Sequence, residues 1–217
     1  MTLDLFAADA PDLQDEVLAP GAIVLRGFAL ARAAALKDAL ARVSGAAPFR
    51  HLVTPGGFRM SVAMTNCGAL GWVSDRRGYR YDPVDPESGE PWPALPEPFR
   101  TLARDAAARA GYAGFVPDAC LVNRYEPGAR LSLHQDRDER DLRAPIVSVS
   151  LGLPAVFLWG GDERAAKARK LALHHGDVVV WGGPSRLRFH GVLALKDGEH
   201  PFAGGHRINL TFRKVRP

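Results

Sequence analysis

The sequence is poor in cysteine. Its two cysteines, Cys67 and Cys120, lie far apart among 217 residues and form no CxxC pair. Disulfide frameworks and zinc-thiolate sites need more thiols than this, or thiols at closer spacing. The shortage argues against both kinds of site and predicts a protein of a reducing compartment, the cytoplasm.

Long apolar runs are missing as well. No run reaches the roughly 20 residues that a membrane-spanning helix needs. The N-terminal stretch "MTLDLFAADAPDLQDE" is acidic and lacks the basic start and the apolar centre of a signal peptide. We therefore expect a soluble intracellular protein without a membrane partner.

The charge balance excludes little. A formal charge of +4 and a pI near 9.3 favour polyanionic partners such as nucleic acid, but they are also ordinary for soluble enzymes. With 217 residues and 47% apolar composition, the chain can bury one sizeable core. We expect one domain over residues 1–217 and a monomer.

Two segments of the first half have helical periodicity. "ALARAAALKDALARVSG" and "PEPFRTLARDAAARAGY" place apolar residues on one stripe, and Gly111 ends the second. Between them, "YRYDPVDPESGEPWPALPEP" holds six of the 17 prolines, which predicts turns and extended loop. The helices are candidates for a scaffold, and the loop for a cover.

From Cys120 onward the periodicity changes to two. Short β-type runs separated by Gly, Pro and Asp predict a sandwich or barrel of antiparallel strands; they are "CLVNRY", "IVSVSLG", "AVFLWGG", "LALHHGDVVVWGG", "RFHGVLAL" and "HRINLTFR". We expect an α+β, mainly β protein in which helices buttress an all-β second half.

Polar residues share one face in two of these strands. In "HRINLTFR" the alternation puts Arg207, Asn209, Thr211 and Arg213 on one side, and in "CLVNRY" it groups Leu121, Asn123 and Tyr125. Each face suits the lining of a polar pocket, although an ordinary solvated face has the same pattern.

Three further residues could bind a metal. In "LSLHQDRDER" the H-x-D spacing puts His134 and Asp136 on the same side of an extended segment, and His190 of "RFHG" can supply a third ligand. Two imidazoles and a carboxylate suit iron(II) with positions left open, whereas catalytic zinc is the competitor. A structural, hydrogen-bonded histidine remains the alternative to any metal.

The order of motifs resembles a known family. "NRY", "HQDRDE", "APIVSVSLGLPAVF", "HGDVVVWGG", "FHG" and "RINLTFR" are similar, in order and approximate spacing, to the AlkB family of iron(II)- and 2-oxoglutarate-dependent dioxygenases. "PFRHLVTPGGFRMSVAMTNCGALGW" and "DPVDPESGEPWPALP" extend the resemblance over nearly the whole chain.

The resemblance implies a fold and two sites. The fold is a double-stranded β-helix, a jelly roll, at about 120–217, preceded at about 1–119 by N-terminal helices and a nucleotide-recognition lid. His134, Asp136 and His190 resemble the iron triad, which is also the catalytic set. The 2-oxoglutarate site is implied at Asn123, Tyr125, Arg207, Asn209 and Arg213. Arginine suits this cosubstrate because its planar fork binds a carboxylate through two donors.

The implied reaction is oxidative demethylation of alkylated bases, 1-methyladenine and 3-methylcytosine, in DNA. The reaction uses iron(II) as cofactor and consumes O2 and 2-oxoglutarate. It releases succinate, carbon dioxide and formaldehyde and restores the base. Single-stranded DNA is the preferred substrate, since its base is flipped into a pocket more easily. The same chemistry on RNA, such as methylated tRNA, and a nucleic-acid-binding module without catalysis are the alternatives.

Substrate contacts are implied at eight positions. They are Trp72, Tyr79, Asp138, Arg164, Met64, Thr54, His175 and Glu139. Trp72 suits base stacking and Asp138 a contact with the amino group of the base, but Trp72 is equally suited to an apolar plug under the lid, and Met64 to plain packing. We interpret His174 as an ordinary residue at the end of a strand.

Basic residues near the lid form a candidate surface for phosphates. Arg76, Arg77 and Arg80 alternate with tyrosines, a combination typical of nucleic-acid binding, with a merely solvated loop as the alternative. Arg140 and Arg188 replace the proline and the aromatic residue that the family carries at these positions. Both departures lie near the nucleic-acid side.

Overall fold

The computed structural model describes residues 14–216. Residues 1–13 and Pro217 lie outside this range. The prediction that the N-terminal stretch is not a signal peptide concerns mainly these first residues. No helix within residues 14–216 is long and apolar enough to cross a membrane.

The described chain folds mainly as β-strands with two α-helices. In chain order the elements are β1 (Glu16–Ala19), β2 (Ala22–Leu25), α1 (Ala33–Ala46), β3 (Ala63–Gly68), β4 (Gly71–Asp75), β5 (Gly78–Asp82), α2 (Glu97–Arg109), β6 (Ala119–Tyr125), β7 (Leu131–His134), β8 (Ile146–Gly152), β9 (Ala155–Trp159), β10 (Arg169–Leu173), β11 (Val178–Trp181), β12 (His190–Val192) and β13 (Arg207–Arg213).

The strands form two facing sheets and a separate hairpin. The larger sheet has the order β1-β2-β11-β8-β13-β6-β3, the smaller one β10-β9-β12-β7, and β4 pairs with β5 alone. Every pairing is antiparallel. One buried cluster joins the sheets, with Tyr125 and Trp181 from the larger sheet against Phe157 and Leu171 from the smaller one. This sandwich is the expected jelly roll, and the fold class predicted from the sequence is confirmed.

The helices cover the outer face of the larger sheet. Leu36 of α1 and Leu102 of α2 are fully buried in the same cluster as Val122 and Leu210. Phe99 meets Phe212 edge to face, with ring centroids 5.9 Å apart, a geometry that adds roughly 1 kcal/mol beyond the burial of the two rings. Gly111, at φ +90°, ends the segment that follows α2. Both helices match their predicted positions.

Strand content in the first half differs from the expectation. β1, β2 and β3 belong to the larger sheet, and β4 and β5 form the hairpin, so the first half supplies more than helices. β3 has the continuous burial of a covered strand rather than an alternating pattern, and such short runs cannot be assigned by periodicity. The proline-rich segment begins inside β5 and then continues as loop to α2.

The alternation in β13 and β6 holds in the structure. Ile208, Leu210 and Phe212 pack toward the helices, while Arg207 and Arg213 line a cavity on the opposite face. The polar face predicted from the sequence is therefore an inner face and not a solvated one.

Candidate active site

A cavity of about 510 Å³ opens between the inner faces of the two sheets. The larger sheet contributes polar residues to it, the smaller sheet contributes His134 and His190, and the β4–β5 hairpin contributes Trp72 and Tyr79. The hairpin at 71–82 occupies the place of the expected lid and is called the lid below. The predicted metal ligands, the polar strand face and the lid therefore border the same cavity.

The three predicted metal ligands come together at this cavity. His134 ends β7 and pairs directly with His190, the first residue of β12, while Asp136 follows two residues after His134. Their candidate ligand atoms all lie within 4.8 Å of one another. His134 Nε2 is 3.6 Å from Asp136 Oδ1, and His190 Nε2 is 3.9 Å from Asp136 Oδ2.

Hydrogen bonds set the orientation of both imidazole rings. His134 donates from Nδ1 to the carbonyl of Ser132 at 2.9 Å, and His190 donates from Nδ1 to the carbonyl of Arg188 at 3.0 Å. Both Nε2 atoms are thereby left as acceptors, the form that a metal requires. Burial, reinforced by His134, lowers the pKa of His190 to about 4, so this ring is neutral at neutral pH.

Asp136 is held ionised. Its burial opposes ionisation, but Arg213, His190 and His134 outweigh that effect and lower the pKa of Asp136. Two imidazoles and one carboxylate beside an open cavity fit iron(II) with three positions free. A structural role for the histidines does not account for two Nε2 atoms aimed at the same carboxylate.

The inner face of the larger sheet has unused hydrogen-bonding groups. Arg207 is 1% exposed and donates from Nη2 to Ser150, yet its Nε and Nη1 have no partner within residues 14–216. Asn123 Oδ1 is likewise buried without a partner there. Buried donors of a guanidinium that lack partners are costly, and the distal carboxylate of 2-oxoglutarate would satisfy them.

The neighbouring residues keep Arg207 and Asn123 in place. The Arg207 guanidinium lies over the Tyr125 ring, 4.9 Å from its centroid. Asn123 donates to Asn209, which in turn donates to Ser148 Oγ at 2.8 Å. The residues present fit the cosubstrate, with Arg207 as the candidate for its carboxylate. The two serines were not predicted as site residues, although they alternate in "IVSVSLG" as the inner-face pattern requires.

Arg213 has a different partner. Its Nη2 donates to Asp136 Oδ2 at 2.7 Å and its Nε lies 3.2 Å from Glu139 Oε1. Burial disfavours the cation, but Asp136, Tyr81 and Glu139 outweigh it and raise the pKa of Arg213. Arg213 therefore lies at the metal side of the cosubstrate site, in contact with a metal ligand.

The lid places an aromatic stack at the cavity mouth. Trp72 and Tyr79 stack with ring centroids 5.5 Å apart and planes inclined by 15°. The Trp72 indole donates to Asp138 Oδ2 at 2.9 Å. This hydrogen bond gives Trp72 a polar partner that a purely apolar plug would not have. Met64 and Arg164 also line the cavity, and the Arg164 guanidinium lies 5.6 Å from the Phe189 ring centroid.

Three of the eight candidate substrate residues have other partners. Glu139 borders the cavity but is buried, and its carboxylate is bonded to Tyr81 and Arg186. Thr54 lies outside the cavity lining, where its Oγ1 accepts from the amide of Phe58. His175 also lies outside it; its Nδ1 accepts from the amide of Gly152, and its ring is tilted by 47° against that of His200. Their contact with substrate stays a prediction. His174 lies near Asp177, at 3.8 Å.

The basic residues of the hairpin are not equivalent. Arg77 and Arg80 both donate to Asp75 Oδ2, at 2.9 and 3.0 Å. Arg76 has no carboxylate partner within residues 14–216, and the same is true of Arg137 and Arg164 at the cavity rim. Within residues 14–216, Arg137 and Arg164 are therefore cations of the cavity lining without a carboxylate partner, and Arg76 is such a cation at the turn of the hairpin.

A jelly roll with two histidines, a carboxylate and a buried unsatisfied arginine defines an iron(II)- and 2-oxoglutarate-dependent oxygenase. In agreement, residues 21–213 match the model of the 2OG-Fe(II) oxygenase superfamily. The chain is 61% identical to the alpha-ketoglutarate-dependent dioxygenase AlkB of Salmonella typhimurium and 59% identical to that of Escherichia coli, in each case over 98% of both chains. The chain belongs to the AlkB family.

A solved structure and a more distant relative extend the comparison. The structure of OsALKBH1 is 32% identical, with a TM-score of 0.79, and the match covers 93% of this chain and 100% of that one. The tRNA demethylase abh1 of Schizosaccharomyces pombe is 32% identical over 68% of this chain and 53% of its own length. The protein is thus a dioxygenase that uses iron(II), 2-oxoglutarate and O2.

Proposed function

We propose that the enzyme demethylates alkylated bases, 1-methyladenine and 3-methylcytosine, in DNA by direct reversal. The observation that carries the proposal is the Trp72–Tyr79 stack with Asp138 at the mouth of a cavity that contains the iron ligands. A flat heterocycle can stack on the aromatic pair. The Asp138 carboxylate offers a counter-charge for a methylated base, which is cationic, and an acceptor for its amino group.

The chain's own residues divide the work at this site. Arg207 would hold the distal carboxylate of 2-oxoglutarate, and His134, Asp136 and His190 would hold iron(II). When bound, iron with O2 and 2-oxoglutarate supplies the oxidant that hydroxylates the N-methyl group. The hydroxymethyl group then leaves as formaldehyde, and the ring nitrogen recovers its unmodified form. For each methyl group hydroxylated, one O2 is consumed and one 2-oxoglutarate is decarboxylated to succinate.

Single-stranded DNA is the proposed preferred form. Arg137 and Arg164 line the cavity, Arg76 lies at the turn of the β4–β5 hairpin, and all three lack carboxylate partners within residues 14–216, so they can neutralise phosphates of one strand. A base that is not paired reaches the cavity without the cost of opening a duplex.

Formaldehyde release tests the proposal. Matched oligonucleotides with one 1-methyladenine or one 3-methylcytosine, as single-stranded DNA, duplex DNA and RNA, are incubated with enzyme, iron(II) and 2-oxoglutarate. We expect the highest turnover on single-stranded DNA and none with the His134→Ala variant. Binding of methylated oligonucleotides without succinate or formaldehyde would identify a non-catalytic module instead.

RNA is the second candidate substrate. It is favoured by the relative that is named a tRNA demethylase. Faster turnover of the RNA oligonucleotide than of its DNA counterpart would assign this alternative.

A further inference from the structure

Four charged side chains form a buried cluster behind the metal ligands. Asp136, Glu139, Arg186 and Arg213 are between 2% and 8% exposed at their side chains, and they comprise two carboxylates and two guanidiniums. The cluster is therefore electrically balanced before any metal binds. Removing one member leaves an uncompensated buried charge next to Asp136.

Glu139 makes the connections within this cluster. Its Oε1 accepts from the Tyr81 hydroxyl at 2.5 Å and lies 3.2 Å from Arg213 Nε. Its Oε2 accepts from Arg186 Nη2 at 2.9 Å. Tyr81 belongs to the lid strand β5, and Arg213 to β13 of the larger sheet. One carboxylate thus links the lid to the sheet that carries the cosubstrate site.

Arg186 extends the connection to the backbone of a metal ligand. It donates from Nη1 to the carbonyl of Asp136 at 2.6 Å and from Nε to the carbonyl of Ala144 at 3.1 Å. Arg213 holds the side chain of the same aspartate. Glu139 therefore positions both cations that hold Asp136, one at its main chain and one at its carboxylate.

We propose that Glu139 is a positioning residue that fixes the metal-binding carboxylate of Asp136 and anchors the lid through Tyr81. Without its negative charge, Arg213 and Arg186 are balanced by Asp136 alone. Arg213 then competes more strongly with the metal for the oxygens of Asp136. A neutral amide at this position is at the same time a weaker acceptor for the Tyr81 hydroxyl, because only one of its two terminal atoms accepts a hydrogen bond and that atom is uncharged. The role of the lid over a bound base rests on the proposed function, whereas the effect of Glu139 on metal binding does not.

Two variants separate these effects. Glu139→Gln removes the charge and should weaken Mn²⁺ binding to the otherwise metal-free protein about tenfold, as is usual when the support of a ligand is lost. Tyr81→Phe removes only the hydroxyl and should leave Mn²⁺ affinity unchanged. Both should accelerate hydrogen exchange of the amides at 71–82. Mn²⁺ affinity is read from the paramagnetic resonance of the free ion, and exchange by mass spectrometry.

Asp141→Asn is the matched control. Asp141 lies two residues along the chain, and its carboxylate pairs with the exposed Arg143. This change should alter neither Mn²⁺ affinity nor exchange at 71–82. The measurements need no oligonucleotide, so a failed demethylation assay leaves them interpretable.

Several outcomes would overturn the proposal. Mn²⁺ affinity of Glu139→Gln within twofold of the unmodified protein would do so, as would lid exchange that is unchanged in Tyr81→Phe. Weaker binding of an unmodified single-stranded oligonucleotide by Glu139→Gln with unchanged Mn²⁺ affinity would assign Glu139 to the substrate. If Glu139→Gln does not fold, Arg186→Lys replaces it, because lysine cannot reach Glu139 and both carbonyls together. Unchanged Mn²⁺ affinity in Arg186→Lys would then reject the positioning role.

Discussion

Two arginines of one sequence motif have different partners in the folded protein. Arg207 is buried, and two of its donor nitrogens lack a partner within residues 14–216, while Arg213 is bonded to Asp136 and Glu139. Spare donors near a polar cavity are what a carboxylate ligand needs. The two side chains therefore differ in what their replacement should change.

Replacing Arg207 by lysine should chiefly affect 2-oxoglutarate. The ammonium keeps the charge but cannot make the planar two-donor contact, so we expect KM for 2-oxoglutarate to rise at least about tenfold, roughly the worth of one charge-assisted hydrogen bond. The maximal rate at saturating cosubstrate should change less. Steady-state kinetics of succinate formation, with Arg213→Lys beside it, provide the measurement. A larger rise in KM for Arg213→Lys than for Arg207→Lys would exchange the two assignments.

Asp85 should contribute stability that depends on pH. Arg50 binds both of its oxygens, at 2.5 and 2.6 Å. Burial raises the pKa of Asp85, but the bonds from Arg50 and from the amide of Glu87 outweigh it and lower the pKa overall. Because the folded pKa is the lower one, the stabilisation is complete above the unfolded value of about 4 and is lost as the pH falls below it.

Asp85→Asn tests this linkage. We expect the free energy of unfolding to fall by roughly 1–3 kcal/mol at pH 7, since the partly buried Arg50 loses its main charged partner and keeps only Glu87 at 3.4 Å. The difference from the unmodified protein should shrink as the pH falls below about 4 and through the lowered pKa of Asp85 in the folded protein. Urea unfolding at pH 7 and at pH 3 measures it. A difference that stays constant over this range would contradict a charge-based role.

At the level of elements, the β4–β5 hairpin carries both stacking rings and the basic turn. Ser74 Oγ donates to the carbonyl of Val53 at 2.6 Å, so the hairpin is attached to the neighbouring segment 53–59. Arg76 lies beside that segment, and a Cβ on Gly57 would be 3.9 Å from its Nη2. The hairpin thus carries a cation without a carboxylate partner in the described chain, Arg76, and an exposed aromatic ring, Tyr79.

Arg76 and Arg77 provide a matched pair of hairpin variants. Each alanine substitution removes one positive charge, but only Arg77 is already paired with Asp75. Arg76→Ala should lower affinity for single-stranded DNA and reduce the slope of log affinity against log salt by about 0.7, the value for one phosphate contact. Arg77→Ala should change the slope less. Fluorescence anisotropy over a salt series measures both, and equal, negligible effects would mean a solvated basic loop.

For the whole molecule, ligand binding and folding should be linked. The metal and cosubstrate sites are built from β6, β7, β12 and β13, which belong to both sheets. Ligands that bind only the folded state stabilise it by about 2.7 kcal/mol at a hundred times their dissociation constant. For a chain of this size that is a rise in Tm of roughly 5–10 °C.

Thermal unfolding with Mn²⁺ and 2-oxoglutarate measures this linkage. We expect the rise in Tm for the unmodified protein and its loss in His134→Ala, which removes the least buried ligand of the three. A rise that persists in His134→Ala would show that Mn²⁺ binds elsewhere.

The sequence by itself determined which side chains share a face. A period of two in "RINLTFR" was enough to place Arg207, Asn209 and Arg213 together, because the direction of a side chain in a strand follows from its position. The same reasoning put His134 and Asp136 on one side, and the helical stripes located α1 and α2.

The tertiary structure decided the partners of those side chains. Pairing of β7 with β12 brings His190 to His134, and no local pattern contains that information. The burial of Glu139 likewise depends on contacts with distant residues, Tyr81 and Arg186. The geometry of the hairpin turn decides that Arg77, and not Arg76, pairs with Asp75. Spacing along a chain sets direction, whereas the packing of sheet on sheet and lid on sheet sets distance, and the chemistry of this site depends on both.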